Sequence, residues 1–104
     1  MIDTREMSMQ DMEENAAAAA ALLKALAHEG RLMILCHLAS ETELSVGALE
    51  DRLNKRQAAV SQLLSRLRED KMVVTRRDGK TIYYALAPGP AAQILHTLHG
   101  IYCA

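Results

Sequence analysis

The chain of 104 residues has no apolar run approaching the roughly 20 residues that a membrane-spanning helix needs. Half of it is apolar all the same, enough to bury the core of one compact domain. Met1 to Asn15 is acidic and polar, unlike a secretory leader, so a cytoplasmic location is expected. Cysteine is scarce: Cys36 and Cys103 are the only two, and they form no Cys-x-x-Cys pair. In a reducing compartment such thiols are expected to be free, reactive or metal-bound rather than permanently bridged. Charge is missing from residues 81–104, which hold no Asp, Glu, Lys or Arg. A solvent-facing helix normally carries charge. This tail is therefore expected under cover, and in so short a chain the obvious cover is a second copy.

The charge that is present is unevenly placed. Residues 1–51 hold ten acids and three bases, whereas residues 52–80 hold nine bases against three acids. A net charge of −1 thus conceals a strongly basic middle third, the footprint of an element that meets phosphates. That third contains the stretch Arg56 to Asp70. Val60, Leu63, Leu64 and Leu67 recur there at the spacing of an amphipathic helix and predict an inward stripe. The other face offers Gln57, Ala58, Ser61, Gln62 and Ser65, flanked by Arg56, Arg66 and Arg68. Amides and hydroxyls can bond base edges, Ala can touch a thymine methyl, and guanidinium groups pair with phosphates.

In chain order, residues 1–10 are expected to lack structure. Asp11 to Leu26 predicts a helix with six consecutive alanines, Ala16 to Ala21, and a stripe of Met12, Ala16, Ala19, Leu23 and Leu26 suited to an interface. Arg31 to Ala39 predicts a second helix with Leu32, Leu35, Cys36 and Ala39 inward, placing Cys36 in packing with limited access to water. Ser40 to Leu44 reads as a loop, and Ser45 as the cap of a third helix, Val46 to Leu53, with Val46, Leu49 and Leu53 inward. Asn54-Lys55 turns the chain into the helix described above, which makes a helix-turn-helix. The period then becomes alternating. Met72 to Arg77 and Lys80 to Leu86 predict two strands joined at Asp78-Gly79, both expected at positive φ. A hairpin behind a helix-turn-helix is a wing, and Arg76, Arg77 and Lys80 at its tip are placed to reach phosphates or a minor groove. Ala87-Pro88-Gly89-Pro90 then punctuates, and Ala91 to Tyr102 predicts a last helix, apolar through Ile94, Leu95, Leu98, Ile101 and Tyr102. On it His96, His99 and Cys103 share one strip. The expectation is a mainly α, winged helix-turn-helix fold: four helices, a two-stranded hairpin and a fifth helix. It occupies residues 11–104 as one DNA-binding and dimerisation domain, paired as a homodimer through its first and last helices.

The segments Leu26 to Leu35, Arg56 to Gln62 and Arg77 to Tyr84 resemble the ArsR/SmtB family of dimeric winged-helix repressors, over about residues 15–103. Within it, Cys36 in Ile-Leu-Cys-His-Leu and Cys103 in Ile-Tyr-Cys are similar to the cysteine pair of the BigR/SqrR subgroup, sensors of persulfide and polysulfide. The resemblance implies a repressor, not an enzyme and without a cofactor. Its reduced form holds operator DNA and lets go when reactive sulfur joins Cys36 to Cys103 by a di- or polysulfide bridge, switching on sulfide-oxidising genes. It also places Gln57, Ser61 and Gln62 in the groove-reading positions. Arg56 stands where many members have Ser, so the cap of that helix is either weaker or supplied by Asn54.

The chemistry stands on general grounds as well. A thiolate can attack a sulfur of a persulfide, and a second thiol within reach resolves the product. A direct disulfide needs Cα atoms about 4.4 to 6.8 Å apart, whereas inserted sulfur spans a wider gap, a basis for telling polysulfide from peroxide. Other readings compete. A zinc-type metal sensor can draw on His96, His99 and Cys103, with Cys36 as a fourth ligand, although the chain has neither a Cys-x-Cys pair in its third helix nor an Asp-x-His before its last. A general peroxide-responsive repressor, a small persulfide carrier and an interaction module without DNA binding are the others. His28 and His37 are given no role.

Overall fold

The computed structural model describes residues 8–103. It contains α1 (Met9–Leu26), α2 (Glu29–Glu41), β1 (Glu43–Ser45), α3 (Val46–Leu53), α4 (Gln57–Glu69), β2 (Val73–Asp78), β3 (Thr81–Leu86) and α5 (Pro90–Tyr102). The segment expected to lack structure, residues 1–10, falls partly outside the described residues. Its last part is ordered: the Ser8 hydroxyl accepts from the Asp11 N–H at 3.2 Å and caps α1, so the helix begins earlier than Asp11.

The joint between α1 and α2 is built by two side chains. Nδ1 of His28 accepts from the backbone N–H groups of Gly30 at 3.1 Å and Arg31 at 3.3 Å, which satisfies two first-turn donors of α2. Arg31 in turn donates to the last carbonyls of α1, Nε to Ala25 at 2.9 Å and Nη2 to Lys24 at 3.3 Å. His28 thus has a structural role that its sequence neighbourhood does not announce. Gly30 lets α2 and α4 approach closely: a Cβ there would lie 2.9 Å from Cδ1 of Leu63, on α4.

The core gathers around α2. Ile34, Leu35 and Leu38 are buried there, together with Leu49 of α3, Val60, Leu64 and Leu67 of α4, Val73, Tyr84 and Leu95. This corrects in part the inward face expected for α2. Leu35 is buried and Leu32 and Cys36 are half-buried against the core as expected, but Ala39 is exposed, and Ile34 and Leu38, outside the expected stripe, are covered. The reason is that α2 packs against α1, α3, α4, α5 and the sheet at once, so burial spreads beyond the single stripe of a helix on a surface. On α4 and α3 the expected stripes hold, with Val60, Leu64, Leu67 and Leu49 buried and Leu63, Val46 and Leu53 half-buried.

The stretch expected as a loop after α2 contains β1. It pairs antiparallel with β3 (Glu43 with Ala85, Leu44 with Tyr84, Ser45 with Tyr83), and β2 pairs with the other edge, giving the order β1-β3-β2. A strand of three residues is too short for alternation to register, and only its partner reveals it. At the wing tip, Asp78 pairs with Thr81, so the two-residue loop is Gly79-Lys80 rather than Asp78-Gly79. Gly79 is at φ +63° and Asp78 is not at positive φ, the pattern of a turn whose first central residue must be glycine.

Two helices leave apolar surface uncovered in the single chain. On α1 only Ala25 and Leu26 are buried, while Met12 and Leu23 are exposed. On α5, Leu95 and Ala91 are buried and Ile101 and Tyr102 stand out.

Candidate DNA-reading surface and thiol pair

The turn between α3 and α4 is set at its start by Asn54, which closes α3 in the left-handed conformation at φ 53°. Ser45 caps the other end of α3, its hydroxyl accepting from the Ala48 N–H at 3.1 Å. With Asn54 so occupied, α4 begins at Arg56 without any side-chain cap, the weaker of the two expected arrangements. Its first-turn N–H groups therefore face outward with the positive end of the helix dipole. Gln57, Ala58, Gln62 and Ser65 are exposed on the side away from the core, and Ser61 is half-buried.

The cations divide into two groups. Arg66 pairs with Asp70 at 3.1 Å, one turn along α4. Arg76 is held more firmly. Its Nη2 and Nε meet the Glu43 carboxylate at 2.5 and 3.2 Å, and its guanidinium lies 4.6 Å from the ring centre of Tyr83. Arg76 thus reaches from β2 over β3 to β1, and its guanidinium holds the Glu43 carboxyl below the usual carboxylate range. Arg52 similarly ties α3 to Glu41 at the end of α2, with Nη2 to Oε1 at 2.6 Å. Arg56, Arg68, Arg77 and Lys80 are exposed and form no ion pair with another described residue.

The two thiols lie on packed neighbours, α2 and α5. Cys36 is half-buried and opens into a cleft of about 450 Å³ lined also by Ala39, Ser40, Leu86, Leu95, His96 and His99. Cys103 is exposed at the end of α5, its N–H bonded to the carbonyl of His99 at 2.8 Å. Burial pushes the Cys36 thiol up from its ordinary value, and the negative charge of nearby Cys103 pushes it further. Both cysteines are free. Among the described residues no three His, Cys, Asp or Glu side chains come together as a metal-binding group.

The helix pair α3–α4, the polar outer face of α4 and the charged hairpin behind it make this a winged helix-turn-helix protein. The sequence profile described as "Bacterial regulatory protein, arsR family" matches residues 28–74. The transcriptional activator HlyU of Vibrio cholerae is 46% identical over 93% of this chain and 89% of its own length. The biofilm growth-associated repressor of Agrobacterium fabrum is 47% identical over 99% of this chain and 87% of its own. Among solved structures, the repressor BigR from Xylella fastidiosa is 45% identical and superposes with a TM-score of 0.87, covering 94% of this chain and 99% of that one. The chain belongs to the arsR family of bacterial regulatory proteins: it is a DNA-binding transcriptional regulator and not an enzyme. Among the described residues no helix is long and apolar enough to cross a membrane.

Proposed function

We propose that this regulator is a repressor that holds operator DNA while Cys36 and Cys103 are reduced. It releases the DNA when persulfide or polysulfide joins the two thiols by a di- or polysulfide bridge, switching on sulfide-detoxifying genes. The observation that carries the reading is the placement of two free cysteines on packed neighbours, Cys36 on α2 and Cys103 at the end of α5. The relatives support it to the extent of their names: that of Agrobacterium is a repressor, and one solved relative is described as reduced HlyU.

In this reading Gln57, Ala58, Ser61, Gln62 and Ser65 face the groove. Arg56, Arg66, Arg77 and Lys80 meet phosphates, and Arg76 fixes the wing that carries the last two. Two copies pair through α1 and α5, which covers Met12, Leu23, Ile101 and Tyr102. The pairing sets two α4 helices at the spacing of half-sites about one helical turn apart. A bridge between α2 and α5 alters that spacing and so couples sulfur to DNA. The protein then works in the cytoplasm, where its operator is.

The test is an operator gel shift at fixed salt with wild type, Cys36→Ser and Cys103→Ser, each reduced, treated with polysulfide and treated with peroxide. Both variants should bind like wild type when reduced and stay bound after polysulfide. Release of both variants by polysulfide refutes the thiol assignment.

A further inference from the structure

Ala92, His96, His99 and Cys103 succeed one another at steps of four, three and four residues, so they share one side of α5. Ile94, Leu98 and Ile101 repeat at four and three on a different side. A partner subunit seated on the second side leaves the first open. Ala92, His96 and His99 of the first side, with α2 and β3, line the cleft into which Cys36 opens, and Cys103 ends that side beyond the lining. The cleft's floor is apolar, from Ala39, Leu86, Ala92 and Leu95, and its polar rim is the Ser40 hydroxyl with the imidazoles of His96 and His99.

Resting on the sulfur-sensing reading, we propose that this cleft is the docking site of the inducer and that it takes an anionic, unbranched polysulfide chain. Such a chain is soft and weakly hydrated along its length and charged at its end. The apolar floor suits the length, and imidazole N–H donors suit the end. Hydrogen peroxide offers neither feature. The exposed Cys103 attacks first and the half-buried Cys36 second, in the order of their access to water.

With tetrasulfide the steps balance. The Cys103 thiolate bonds to an interior sulfur, the central sulfur–sulfur bond breaks, and its electron pair leaves with a hydropersulfide anion. The Cys36 thiolate then attacks the sulfur now bonded to Cys103 and expels hydrosulfide. Two thiols and one hydrogen tetrasulfide become a trisulfide bridge, hydrogen disulfide and hydrogen sulfide, the thiol protons passing to the leaving anions. The sulfur chain is the oxidant.

The experiment follows the whole reduced chain, without oxygen, by intact mass after mixing with sodium tetrasulfide or with hydrogen peroxide. Wild type should gain a bridge with inserted sulfur, at a rate that saturates with tetrasulfide. The His96→Gln/His99→Gln variant should bridge at least ~10-fold more slowly with tetrasulfide while its peroxide rate stays unchanged. Both histidines are exposed, so the variant should keep its far-ultraviolet circular dichroism. Cys36→Ser should acquire sulfur on Cys103 without closing a bridge, and Cys103→Ser should take up sulfur far more slowly than wild type. Equal tetrasulfide rates in wild type and the histidine variant, or equal slowing with both oxidants, overturn the docking site. Faster uptake by Cys103→Ser overturns the order. If wild type acquires no sulfur bridge at all, the sulfur-sensing reading itself fails, an outcome distinct from the other two.

Discussion

Arg76 and Arg77 are neighbours on β2, yet the structure gives them different work. Arg76 is bonded to Glu43 across three strands and lies over Tyr83, whereas Arg77 is exposed without an ionic partner among the described residues. The Arg76–Glu43 pair presents no net charge to a duplex, so its loss should not change the number of phosphates neutralised. Each phosphate contact contributes a slope of about 0.9 in the logarithm of affinity against the logarithm of salt. Between about 50 and about 200 mM salt, one lost contact therefore changes the ratio of variant to wild-type affinity by about 3.5-fold. Arg77→Gln and Lys80→Gln should each show that convergence toward wild type at the higher salt. The double variant Arg76→Gln/Glu43→Gln, which removes the pair and leaves neither charge behind, should instead bind more weakly by the same factor at every salt, because β2 has lost its side-chain tie to β1. Operator titrations by fluorescence anisotropy at four salt concentrations measure all of these. A slope flattened as much by the double variant as by Arg77→Gln shows that Arg76 reaches a phosphate, and refutes the reasoning.

Leu64→Ala empties a fully packed position of α4 and should cost about 2–5 kcal/mol in urea unfolding of the reduced protein. His28→Ala removes the cap of α2 and should cost about 1 kcal/mol, with His28→Asn recovering much of it because Asn also accepts from first-turn N–H groups. Gln62→Ala should lower discrimination between the operator and a variant site by about 1–3 kcal/mol if it bonds a base edge, leaving the salt slope unchanged. The Cys36 thiol is raised, so alkylation of Cys36 in reduced protein should accelerate at higher pH than for an ordinary cysteine. In Cys103→Ser, where the neighbouring charge is gone, that profile should move toward lower pH. The same raised value favours the neutral thiol in the fold. Its stabilisation is full below the ordinary thiol value and is lost as pH rises through Cys36's own.

The helices and the wing are legible in the sequence because their signals are local. The apolar stripe of α4, the Ser45 cap and the glycine of the wing turn act within a few residues of chain. Where the sequence is silent, the cause lies in partners distant along the chain. β1 exists because β3, some forty residues on, offers it an edge, and Glu43 acquires its role only from Arg76. The inward face of α2 departs from the expected stripe because a central helix has neighbours on several sides. His28 escapes notice because a histidine cap has no spacing that sets it apart from an idle histidine; its only signal is its place just before Glu29-Gly30-Arg31. Of the candidate site, the polar face of α4 and the two thiols are visible as residue types. The cleft beside Cys36 requires the packing of α2 on α5.

Gly30 and Cys36 belong to the same helix, six residues and about 9 Å apart along its axis. At one station the rod rests on Leu63 with no room for even a methyl group between them; at the other it carries the half-buried Cys36 thiol. Under the proposed sulfur-sensing function, trigger and fulcrum are then one piece of backbone, and a message from sulfur to duplex needs no relay of intermediate side chains, only a lever stiff enough not to bend.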